Sequence, residues 1–118
     1  VNTYKDLIIW RESVGLIKEI YSVAEQLTKS EEYNLKQQLK RAVISVALNI
    51  AEGKSRKTAK DFNSFLAISV ASLSEVEAIL SICEELEFIK DTKDLQQKTI
   101  ILGKKINSLR NKLMKDIN

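Results

Sequence analysis

Arg41-Ala42-Val43-Ile44-Ser45-Val46-Ala47-Leu48-Asn49-Ile50-Ala51-Glu52-Gly53 runs without a break in helical rhythm, and its reading decides the fold. Together with Leu35 and Leu39 upstream, Ala42, Val46 and Asn49 recur at steps of three and four, the spacing that lines one face of a helix. Ser30 stands as the expected N-cap, with Glu31 and Glu32 near the positive end of the helix dipole. Gly53 follows the last periodic residue and is expected to close the helix as a left-handed cap, because glycine has no Cβ to clash at positive φ.

The same rhythm extends in both directions. Leu7, Trp10, Val14, Ile17, Tyr21 and Ala24 mark a first helix over about residues 4–28, opened by a Thr3-x-x-Asp6 start signal. A third helix opens at Thr58, with Asp61 three residues on, and carries Phe62, Phe65, Ser69, Leu73, Val76, Leu80, Cys83 and Leu86. At about 30 residues it spans roughly 45 Å. A fourth begins near Asp91 or Thr92 and carries Leu95, Thr99, Leu102, Ile106, Leu109 and Leu113. Links of a few residues force neighbouring helices to run antiparallel, so the spacing predicts an all-α, up-down-up-down four-helix bundle, with residues 1–118 as one domain.

Composition agrees and narrows the chemistry. The chain has no proline, no histidine, three glycines and one cysteine. Without histidine there is no Ser-His-Asp or Cys-His pair, no Glu-x-x-His di-metal site and no His-ligated zinc or haem. Glu52, Glu75 and Glu77 are the remaining carboxylates worth weighing as ligands or acid-base groups; lacking a histidine partner they carry no expectation of catalysis, metal or cofactor. Cys83 falls on an apolar face and reads as a small core hydrophobe rather than a nucleophile, and Trp10 and Tyr21 likewise read as core. A lone cysteine fits a reducing compartment. No uninterrupted apolar run approaches the roughly 18 residues of a membrane span, and no secretory pattern opens the chain, so the expected location is the cytoplasm.

Two helices carry more apolar surface than one seam needs. The first has a second row at Ile9, Leu16, Ile20, Val23 and Leu27; the third adds Leu66, Ile68, Val70, Ile79 and Ile82. Something must cover them, either a homo-oligomeric contact, which the spacing favours, or an unusually wide monomer core.

Polar residues concentrate where the second helix ends. Arg41, Ser45, Asn49 and Glu52 fall on one face, followed by Gly53. Asn49 occupies a seam position otherwise held by aliphatics and needs a partner, such as Ser69, Ser72 or backbone. Glu52 faces the negative end of a helix dipole and needs a cation, with Arg41, Lys54 and Arg56 nearest in sequence. The row is either a clamp fixing the register of two helices or a binding surface.

The net charge of +3 is unevenly distributed. Residues 31–60 hold seven basic groups against three acidic, residues 61–90 one against six, and residues 91–118 seven against three. Lys54, Arg56, Lys57 and Lys60 crowd one loop, while Lys98, Lys104, Lys105, Arg110, Lys112 and Lys115 load the fourth helix. These are candidate contacts to RNA phosphates, weighed against ordinary solvation of a helix face. No aromatic side chains are interleaved to stack bases.

The stretch Arg41–Gly53, and Asn49-Ile50-Ala51-Glu52-Gly53 above all, resembles the signature of the bacterial four-helix-bundle proteins named after the 23S ribosomal RNA intervening sequences. Tyr4–Trp10 and the run from Phe62 to Glu75 are similar too, so the likeness covers about residues 4–90, while the fourth helix matches only in pattern. Two positions depart from the family: Ala47, where proline is common, and Leu48, where a small polar residue is usual. The resemblance implies a ring-like homopentamer with no established enzymatic activity. The accessory proteins of diversity-generating retroelements look like more distant relatives, and that likeness implies contact with nucleic acid or a nucleic-acid-binding protein through basic surface.

Overall fold

The computed structural model describes residues 3–31 and 34–115. Four helices follow in order: α1 (Ile8–Ala24), α2 (Leu35–Lys54), α3 (Ala59–Glu85) and α4 (Lys93–Lys115). Contacts between consecutive helices run in opposite directions. Lys40 of α2 lies over the Tyr21 ring near the end of α1. Across α2 and α3, Ser72 Oγ donates to Ser45 Oγ and Ser69 Oγ to the Val46 carbonyl. Across α3 and α4, Arg110 Nε donates to Asn63 Oδ1, and Ser81 Oγ to Gln96 Oε1. The ring closes where Lys105 pairs with Glu12 and Lys98 with Glu19. The result is an antiparallel bundle, 48 Å long and about 20 Å across.

The helix ends show which local signals operate. Thr58 caps α3 as expected, its hydroxyl accepting from the Asp61 amide at 3.1 Å. The Thr3–Asp6 box is formed, but it caps a 3-10 turn, Tyr4–Asp6. Leu7 then extends (φ −77, ψ 128), so α1 begins at Ile8, later than the periodicity predicts, and it stops at Ala24. Ser30 does not cap α2. It sits in a second 3-10 turn, Lys29–Glu31, with its hydroxyl on Thr28, and α2 starts after Asn34. Glu31 instead accepts from the Asn34 amide, and Glu32 lies outside the described residues.

Gly53 also corrects the sequence reading. Among the described residues no glycine has positive φ, and α2 continues through Gly53 to Lys54. Its role is steric: a Cβ there would lie 2.8 Å from Phe62 Cδ1 and 2.9 Å from Phe65 Cβ. The left-handed residue is Glu87, at φ 60. Phe88 N–H donates to the Cys83 carbonyl and Glu87 N–H to the Glu84 carbonyl, the bond pair of a Schellman ending.

In α1 the inward row is Ile9, Ser13, Leu16, Ile20 and Ala24, all buried. The row led by Trp10, Val14 and Ile17 is only half-buried, and Tyr21 is exposed, contrary to its expected core place. Periodicity does not choose between two apolar stripes on one helix; the packing partners do. Ser13 makes the inward stripe look broken in sequence, yet its hydroxyl is satisfied by the Trp10 carbonyl at 2.6 Å. Ile20, Leu39, Ile50, Leu66, Leu80 and Ile106 are fully buried at the centre, each contributing about 1.5–3 kcal/mol by the apolar area it removes from water. Of the extra row on α3, Leu66 and Ile79 join this core, while Ile68 and Ile82 stay exposed.

By length and composition α3 is apolar enough to cross a membrane, although its apolar residues do not form one unbroken run. Only 39% of its apolar 18-residue stretch is buried. Ser69 and Ser72 in its middle are spent on hydrogen bonds to α2, so one side of the helix is a bundle seam and the other is not covered.

Candidate binding surface at the end of the bundle

The antiparallel order gathers one set of residues at one end: the start of α1, the α2–α3 turn and the end of α4. Two helices begin and two end there, so their dipoles largely cancel and side chains set its charge. Glu52 is compensated by Arg56, whose Nη2 sits 2.6 Å from Glu52 Oε1 and whose guanidinium lies 4.5 Å over the Phe65 ring. Both partners are exposed, so the pair orients the turn more than it stabilises it. Lys57 and Lys60 are exposed beside it, and Lys54 is half-buried. Arg110 is tied to Asn63 and Asn107, bringing the last turns of α4, with exposed Lys112 and Lys115, alongside the start of α3.

The other basic candidates are elsewhere. Lys98 and Lys105 bridge to α1, and the contacts of Lys98 with Glu19 and Asp94 hold its ammonium pKa above the ordinary lysine value. Lys104 lies exposed on α4, beside a shallow groove shared with Glu77 and Asn107. The structure therefore splits the sequence set into an end cluster (Lys54, Arg56, Lys57, Lys60, Arg110, Lys112) and three side residues, two of them neutralised.

The polar row on α2 is a chain of hydrogen bonds. Asn49 Nδ2 donates to the Ser45 carbonyl at 2.9 Å and to Ser45 Oγ at 3.0 Å, and Ser72 of α3 donates to that same Oγ at 2.9 Å. Asn49 thus finds backbone and Ser45, and reaches Ser72 only through Ser45. The amide is half-buried at the edge of the seam rather than inside it. Arg41, one helical turn from Ser45, is exposed and has no side-chain partner among the described residues.

A second polar cluster at the opposite end escaped the sequence reading. Thr92, 2% exposed, donates to Glu84 Oε2 at 2.6 Å, and Gln96 Nε2 donates to both. The only sequence signal was the spacing of Thr92 and Gln96 on one helical face. Among the described residues no group of three acidic, cysteine or histidine side chains converges as metal ligands. Glu75 is exposed on α3, and Glu77 accepts from Ser81. Cys83 is fully buried, and desolvation pushes its thiol pKa up, away from nucleophilic reactivity.

A family model described as 23S rRNA-intervening sequence protein matches residues 5–108. A crystal structure of a protein with unknown function from the S23 ribosomal protein family of Bacteroides thetaiotaomicron superposes with a TM-score of 0.80 at 20% identity, covering 87% of this chain and 98% of that one. At that identity the likeness speaks for the fold. No curated protein matches the chain in sequence.

Proposed function

Since the chain belongs to the 23S rRNA-intervening sequence protein family, we propose that it is a non-enzymatic, cytoplasmic helical scaffold that works as a homo-oligomer, most simply a ring-like pentamer. The observation that carries this reading is the uncovered side of α3, where Ile68 and Ile82 stand 47% and 44% exposed, together with Leu48 of α2 at 63%. Apolar groups of this size, aligned along neighbouring helices, favour burial against another surface. The resemblance of Arg41–Gly53 to the pentameric family supports the number. Light scattering at micromolar concentration is expected to return a mass several times that of the 13.4 kDa chain; a monomer mass would overturn the proposal.

A second reading is favoured by the end cluster. Lys54, Arg56, Lys57, Lys60, Arg110 and Lys112 occupy one end of each copy, and a ring would repeat that cluster around its axis, turning weak phosphate contacts into a multivalent surface for RNA or an RNA–protein complex. RNA affinity that falls steeply as salt rises, and weakens on Lys57→Ala with Lys60→Ala, is the expected signature. Binding absent at low salt would remove this reading and leave the scaffold intact.

A further inference from the structure

The exposed side of α3 is a regular seam. Ser64, Ile68, Ala71, Glu75, Ala78 and Ile82 are all exposed and follow one another at alternating steps of four and three. That is the heptad spacing of a helix that packs against another along its length, and small residues at Ser64, Ala71 and Ala78 allow a close approach. The middle of the seam is the carboxylate of Glu75, which has no partner among the described residues. Two α3 seams laid on each other parallel and in register would set Glu75 against Glu75; antiparallel, each Glu75 would face Ala71 with the two carboxylates about one helical turn apart, roughly 6 Å along the axis, and like charges that close disfavour both pairings.

The outer face of α2 is complementary. Arg41 and Leu48 are exposed two turns apart, with half-buried Ile44 between them. Within one chain, levels along the bundle are fixed by contacts: Ser45 is level with Ser72, Val46 with Ser69, and Gly53 with Phe62 and Phe65. Rotation about an axis parallel to the bundle keeps every level unchanged. In a neighbouring copy, therefore, Ile68 comes level with Leu48, Ala71 with Ile44, and Glu75 with Arg41.

We infer that the oligomer is built by the outer face of α2 docking on the α3 seam of a second copy, with Leu48 set against Ile68 and Ala71 and with Arg41 paired to the neighbour's Glu75. With each copy giving its α2 face to one neighbour and its α3 seam to another, the contact is heterologous, and such contacts form a ring when the rotation between copies closes. This inference rests on the self-association proposed above and specifies how it occurs.

Charge reversal tests it in the full chain. Arg41→Glu and Glu75→Arg, both at exposed sites, are each expected to keep native circular dichroism while weakening association at least tenfold, and the double variant is expected to recover the wild-type mass. In a second measurement, mild oxidation of Leu48→Cys/Ile68→Cys is expected to give a covalent ladder on a non-reducing gel. A monomeric wild type would overturn self-association itself. An oligomeric wild type whose mass survives both reversals, or whose cysteine pair gives no ladder, would overturn this interface alone.

Discussion

The turn joining α2 to α3 and the turn joining α3 to α4 reverse the chain at opposite ends of the bundle by opposite means. In the first, Gly53 has ordinary helical geometry and is small because Phe62 and Phe65 lie against it. In the second, Glu87 takes the left-handed conformation that glycine adopts most cheaply, and the turn is held by buried Thr92 with half-buried Glu84 and Gln96. One turn is limited by space and the other by backbone torsion, so a glycine stands in the first, where torsion does not ask for one, and none in the second, where it does.

Substitutions break the comparison in order of size. Gly53→Ala would gain about 1 kcal/mol in an exposed helix, but here the new methyl meets a ring carbon and a Cβ inside contact distance. Overpacking of this kind costs about 1–3 kcal/mol, so urea unfolding is expected to show a net loss, larger for Gly53→Val. A midpoint raised by the full helical gain would mean that space is not the constraint. In the second turn, Thr92→Val keeps the shape and removes a buried hydroxyl that serves Glu84 and Gln96. The expected loss is about 1–2 kcal/mol, and no loss would show the cluster to be incidental. The smallest effect has the opposite sign. Glu87→Gly relieves a strained torsion but frees the unfolded chain, for a net gain of about 0.5–1 kcal/mol, read as a raised melting temperature.

Most of the fold was legible in sequence because helices announce themselves locally. The Thr58 cap, the four runs of apolar spacing and their short links depend on neighbours within a few residues. What sequence did not settle depends on distant parts of the chain. The inward stripe of α1 is chosen by α2 and α4, so Ile9, Leu16 and Ile20 went inside although the Trp10 row scans equally well. Gly53 looked like a cap because the phenylalanines that crowd it arrive from the next helix. The candidate site follows the same rule. Ser45, Asn49 and Glu52 sat together on one helical face in sequence, and they do so in the structure. That Lys98 and Lys105 are neutralised by Glu19 and Glu12 needed α1 and α4 to meet. The gathering of Arg110 and Lys112 beside Lys57 and Lys60 likewise follows from antiparallel order.

The hydrogen bond from Ser69 to the Val46 carbonyl closes 23 residues of chain, while the Lys98–Glu19 pair closes 79. Loop-closure entropy makes the longer circuit about 1 kcal/mol more costly to order. The α2–α3 hairpin is also the more tightly stitched pair, joined by Ser69, by Ser72 and by the fit of Gly53 under Phe62. Its contacts, like those of the other sequential helix pairs, close less chain than the α1–α4 seam and cost less entropy to order. The seam between α1 and α4 depends on everything between them, and so its order is a consequence of the fold rather than a source of it.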